Sequence, residues 1–178
     1  LYTAQPSGTI NGYMLVSGVI GSAGSATVTG PANSVAFDPQ GKFLYVGTAA
    51  ALWTFELNPD GSLGAGVQYV ADNPRQMAFH PAGKFLYTAE GSNADQPARI
   101  VARSLNQTTG TPTFVDLDVS LATMGLKGMV VDPTGRFLHV ISSDMQETYS
   151  IDPASGRLTV LSSSSFPAPG ATSIALKK

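Results

Sequence analysis

The two residues best placed to do chemistry together in this sequence are Arg75 and Glu90, which flank Phe79-His80-Pro81-Ala82-Gly83-Lys84. An apolar run on each side of a Pro-x-Gly turn predicts an antiparallel hairpin. Positions that sum to about 164 then face one another, so Glu90 falls opposite Pro74 and beside Arg75. A guanidinium at that place binds a carboxylate, a phosphate or a carbonyl oxygen, and a neighbouring carboxylate takes a proton from water. The competing reading is a surface ion pair that closes the end of a hairpin, the commoner use of such a pair. Gln76 follows Arg75, and Asn93, Asp95 and Gln96 lie in a polar stretch, 91–98, that lengthens the loop after Glu90. Long polar loops at one mouth of a rigid scaffold are where a ligand or partner is read.

Other chemistries find little support. Cysteine is absent, which removes disulfides, thiolate nucleophiles and thiolate metal sites. His80 and His139 are the only histidines and lack metal-ligand spacing, so no metal site and no cofactor is expected. His80 stands where sister segments have Asp38 and Asp132, which makes it a cap for its turn, and His139 stands where they have Tyr45 and Tyr87, which makes it a packing variant. Asp116 and Asp118 read as a solvated strand face without the acidic glycine loop of a calcium site. The glycines of 21–30 lack the Lys and helix of a phosphate cradle, and no Gly-x-Ser-x-Gly elbow exists. Asn106-Gln107-Thr108 is a glycosylation sequon that matters only in a secreted eukaryotic protein.

The elements that position these residues are written in a repeat. Ser34-Val35-Ala36-Phe37-Asp38-Pro39-Gln40-Gly41-Lys42-Phe43-Leu44-Tyr45-Val46 recurs from Gln76 to Thr88 and again from Gly128 to Val140. Each copy continues with a third apolar strand, a turn rich in Asn, Asp, Pro and Gly, and a fourth strand. The turns are Asn58-Pro59-Asp60-Gly61 and its counterparts at 106–110 and 152–156. With 19 Gly, 12 Pro and 43% hydrophobic residues, the composition suits many short strands and tight turns. The expected fold is all-β, a β-propeller of four-stranded antiparallel blades with four repeats in this chain. Ser173-Ile174-Ala175-Leu176 matches the start of a first strand and Leu1-Tyr2-Thr3-Ala4 a second, so one blade is divided between the termini. The blades are 1–30 with 172–178, 31–73, 74–125 and 126–171. A piece of a larger ring is the leading reading, with a self-closed ring or an assembly of several copies left open.

The blade motif, Asp/His-Pro-x-Gly-Lys/Arg-Phe-Leu-Tyr, resembles that of the lactonase-type seven-bladed propellers, the family that includes a 6-phosphogluconolactonase. Asn73-Pro74-Arg75-Gln76 through Ala89-Glu90 is similar to the family's Pro-Arg-His segment ending in Asn-Glu, whose Arg, His and Glu are thought to line a central pocket. The resemblance thus implies catalytic roles for Arg75 and Glu90, whereas Gln76 replaces the His and Ala89 the Asn.

Two functions follow. The first is a binding or assembly module presenting loops to a protein or glycan partner, or to another copy of itself. The second is a lactonase acting on a sugar lactone. Net charge is −2 with only 10 scattered Lys and Arg, so nucleic acid is not an expected partner. No apolar run approaches the ~18 residues that span a bilayer. A start on Leu1 implies a processed or longer parent, and the Ser/Thr-rich, Lys-poor composition suits an extracellular or periplasmic protein.

Overall fold

A computed structural model describes residues 1–91, 99–120, 126–142, 145–161 and 166–176, without the side chains of 116–120. The described residues form strands and turns with no helix, arranged as four antiparallel sheets. The first contains β1 (Tyr2–Ala4), β2 (Thr9–Val16) and β3 (Val19–Thr27) in that order. The second contains β4 (Ala32–Phe37), β5 (Phe43–Thr48), β6 (Ala51–Glu56) and β7 (Val67–Val70). The third contains β8 (Gln76–Phe79), β9 (Phe85–Glu90), β10 (Arg99–Leu105) and β11 (Pro112–Ser120). The fourth contains β12 (Gly128–Val131), β13 (Phe137–Ile141), β14 (Met145–Ile151) and β15 (Leu158–Val160), with the short β16 (Phe166–Pro167) also paired to β14. Apart from β16, consecutive strands within each sheet are neighbours, as short polar turns dictate.

The chain divides into two compact units, residues 1–75 with 108–111, and 76–107 with 112–178. In the first unit, Leu44, Val46 and Phe55 of the second sheet pack with Ile10 and Val28. In the second, Phe85, Tyr87, Ala89, Ile100 and Ala102 of the third sheet pack on Met129, Leu138, Val140 and Tyr149 of the fourth. β5 and β9 are buried at every position, and both open on Phe-Leu-Tyr, an apolar run with a single aromatic hydroxyl.

That hydroxyl serves a repeated joint. Within the first unit, Tyr2 and Tyr45 donate their phenolic O–H to the backbone carbonyls of Gly61 and Gly110, the latter at 2.6 Å. Within the second unit, Tyr87 donates to the carbonyl of Gly156 at 3.0 Å. Each glycine closes a third-to-fourth-strand turn with φ between 69° and 76°. The rings of Phe43 and Phe85 lie directly on Gly110 and Gly156. Burial pushes the Tyr45 and Tyr87 phenols well above the usual tyrosine range, so they remain protonated donors.

The first-to-second-strand turns are capped by side chains. Asp38 Oδ1 accepts from the N–H groups of Lys42 and Phe43, both at 2.7 Å, and Asp132 Oδ1 from those of Arg136 and Phe137, both at 2.8 Å. His80 performs this duty with one bond, its Nδ1 accepting from the Ala82 N–H at 3.1 Å. Its pKa is lowered below 6.5, chiefly by burial; a backbone hydrogen bond with Gly135 opposes this, Lys84 adds to it and Asp132 opposes it. A histidine that favours its neutral form when folded contributes stability that is present above pH 6.5 and lost as pH falls through the lowered value. Thermal melts between pH 7 and 5 should therefore show a decline that His80→Asp removes, since Asp stays ionised over that range. An unchanged decline would place its origin elsewhere.

One expectation, the register of the third sheet's first hairpin, is corrected here. The cross-strand pairs of β8 and β9 sum to 165 rather than 164, from Gln76–Ala89 to Phe79–Leu86. The offset arises because the turn is closed by Gly83 with its N–H on the His80 carbonyl, placing one residue more between the strands. The first sheet has three strands among the described residues, because 171–176 carry no strand. Ile174 instead lies against Gly128 of β12, where its side chain finds apolar surface in the second unit.

Candidate functional site

Glu90 is the last residue of β9 and only 4% exposed, so it is not part of a surface pair. Its partner is Arg103 of β10, whose Nη2 lies 2.6 Å from Glu90 Oε1. Thr88 completes the arrangement: its Oγ1 donates to Glu90 Oε1 at 2.7 Å and accepts from Arg103 Nη1. Alternation along the strands puts Leu86, Thr88 and Glu90 on one face of the third sheet with Val101 and Arg103. Phe85, Tyr87 and Ala89 occupy the other. Arg99 lies directly across the ladder from Glu90.

The repeat shows how unusual this is within the chain. Register places Arg103 opposite Leu86, as Phe55 is opposite Leu44 and Tyr149 opposite Leu138. Thr88 stands where Val46 and Val140 stand, and Glu90 where Thr48 and Ser142 stand. The third copy thus replaces an aromatic, a valine and a hydroxyl with a guanidinium, a hydroxyl and a carboxylate. A buried charged pair is no cheap substitute for packed apolar groups, which marks the third sheet as the one built differently.

Arg75 is exposed and immediately precedes β8, and Gln76, half-buried, opens that strand opposite Ala89. Asn93, Asp95 and Gln96, on which the binding-module reading leans, lie outside the described residues. Arg103 was not singled out from the sequence. The available signal was a cation directly after the apolar run Ile100-Val101-Ala102, on the same strand face as Val101. His139, expected as a packing variant, sits half-buried with Nδ1 3.0 Å from Thr148 Oγ1. Among the described residues no group of three His, Asp or Glu side chains is gathered as metal ligands, and no helix is long and apolar enough to cross a membrane.

Comparison with known proteins agrees with the four repeated sheets. Solved structures with the same fold include a candidate 6-phosphogluconolactonase of Bacteroides uniformis, with TM-score 0.79, 18% identity, and coverage of 92% of this chain and 50% of that one. Its counterpart from Bacteroides fragilis gives TM-score 0.79 at 18% identity, covering 97% of this chain and 56% of that one. The periplasmic gluconolactonase of Pseudomonas aeruginosa gives 0.68 at 19%, covering 89% and 51%. The chain therefore spans about half the length of these propellers, and at such identities the likeness is one of fold. No curated protein matches. The profile of the family described as "Lactonase, 7-bladed beta-propeller" matches residues 13–126, more than half of the sequence. A blade motif present three times, in a chain folded into four successive antiparallel sheets and matched by that profile, means that the chain belongs to the seven-bladed lactonase propeller family.

Proposed function

We propose that this chain carries lactone-hydrolysing residues, with Glu90 as the base that takes a proton from water and Arg75 as the guanidinium that orients the substrate. The observation that carries the reading is the Glu90 arrangement, in which the third copy trades the aromatic, valine and hydroxyl of the second and fourth for an ion pair and a carboxylate held on Oε1 by two donors. Family membership supports the same chemistry. Water adds to the lactone carbonyl as its proton passes to Glu90, while Arg75 stabilises the charge that develops on the carbonyl oxygen. Collapse of the tetrahedral intermediate breaks the ring C–O bond, and the proton returns to the departing oxygen to give the open hydroxy acid. With Gln76 at the position of the family's His, both proton transfers fall to Glu90.

The substrate class is a sugar lactone, in keeping with what the neighbours are named for. A periplasmic or extracellular setting is supported by the periplasmic neighbour and by the Ser/Thr-rich composition. Hydrolysis of glucono-δ-lactone and its 6-phosphate, measured above the spontaneous background, tests the proposal. Glu90→Gln should lower kcat by at least ~100-fold with the far-ultraviolet spectrum unchanged. A wild-type rate equal to background, or one indifferent to that change, removes the lactonase reading.

A further inference from the structure

Arg75, the guanidinium of the proposed reaction, is exposed but follows two buried residues, Asn73 and Pro74. Its direction is therefore set by the backbone that leads into it. Asn73 is 7% exposed and holds φ at 52°, in the left-handed region that a residue with a side chain keeps only when its surroundings hold it there. The question is what holds it.

Three residues of β4 and β5 do so, all in the same compact unit as Asn73, Pro74 and Arg75. Asn33 Nδ2 donates to Asn73 Oδ1 at 2.7 Å, and Ser34 Oγ donates to the Pro74 carbonyl at 2.7 Å. Asn33 is freed for this by a β-bulge: Ala32 pairs with Thr48 and Ser34 with Gly47, so the ladder passes Asn33 over. Gly47 lies outside the left-handed region, so what it provides is room. A Cβ there would run into the Pro74 carbonyl oxygen and Ser34 Oγ, and would meet Pro74 Cγ at 3.0 Å. The corresponding pairs in the third and fourth sheets, Gln76–Ala89 and Gly128–Ile141, carry a side chain at Gly47's position. The space is specific to the second sheet. Asn33 also stands one residue before Ser34 as Arg75 stands one before Gln76, so an amide in one copy sets the approach to the guanidinium in the next.

We propose that Asn33, Ser34, Gly47 and Asn73 form a clamp of positioning residues for Arg75, an inference that rests on the reaction assigned to Arg75 above. The Pro74 carbonyl lies in the peptide plane that the Arg75 nitrogen completes, and the proline ring fixes its own φ. With Asn73 held on one side and that plane on the other, the Arg75 Cα has a set place. The guanidinium then searches only its own rotamers, which keeps it in reach of the carbonyl oxygen on which charge develops.

Nitrogen-15 relaxation of the Arg75 amide in the 178-residue chain reads the clamp without a substrate. Wild type should give an order parameter of about 0.85, as rigid backbone does, and Asn33→Ala should bring it below about 0.6. Asn33 is exposed, so this variant keeps its fold even where Gly47→Ala does not. A mobile Arg75 amide in the wild type, or an unchanged one in Asn33→Ala, overturns the proposal. Lactone hydrolysis gives the second readout. Asn33→Ala, and Asn73→Gly, which keeps the positive φ without the amide, should each lower kcat roughly 10-fold or more with KM little changed. Neither should lower it further in an Arg75→Ala background, because the clamp acts through that residue. Losses that persist in that background overturn the proposal as well. A wild type with only the spontaneous rate removes the lactonase reading, and the relaxation result then decides the clamp by itself.

Discussion

Gly156→Ala should cost about 3 kcal/mol and lower the melting temperature by roughly 6–12 °C, the conversion for a domain of this size. Two terms combine. At φ 76° an L-residue with a Cβ is strained by about 1–2 kcal/mol. The new methyl would also lie 2.5 Å from Phe85 Cδ1 and 2.7 Å from Cε1. Phe85 is 5% exposed within the second unit's core and cannot swing aside, so overpacking adds its own ~1–3 kcal/mol. The Tyr87 hydrogen bond ends on this same residue and would be distorted. Gly41 is the control: its φ is 67°, but a Cβ there meets nothing within 4 Å. Gly41→Ala should show the backbone cost alone. Equal losses in calorimetry for the two variants would mean that the ring contact contributes nothing.

Arg103→Phe should destabilise by about 3 kcal/mol even though Phe is what the second copy carries at that place. The single change leaves Glu90 buried without the guanidinium 2.6 Å away. Arg99, its cross-strand neighbour, is an exposed residue that recovers part of the loss at most. Thr88→Val, Glu90→Thr and Arg103→Phe together rebuild the second copy's pattern of Val46, Thr48 and Phe55. This triple variant should be as stable as wild type or more so, because well-packed apolar groups commonly equal or outdo a buried ion pair. Denaturant titration of the single and triple variants decides it. If the triple is as unstable as the single, the pair is not exchangeable for packing. If the triple is stable but lacks lactone hydrolysis, the charged arrangement is kept for chemistry rather than for folding.

The repeat was legible because it is local. Each strand, each Pro-x-Gly hairpin and each Asn/Asp-Gly turn is set by residues a few positions apart, so the order of strands, the antiparallel pairing and the capping roles of Asp38, His80 and Asp132 follow from short-range rules. The partner of Glu90 was not legible. The hairpin argument pointed to Arg75 because it considered only the strand before Glu90, whereas Arg103 comes from the strand after it and carries no motif. The joint was equally hidden, since nothing near Tyr45 announces that its hydroxyl ends on Gly110, 65 residues on. Alternation and turn chemistry are properties of the chain and were settled by the amino-acid sequence alone. Which buried charge faces which and which glycine lies under which ring depend on strands distant in sequence packing together, and only the tertiary structure decided them.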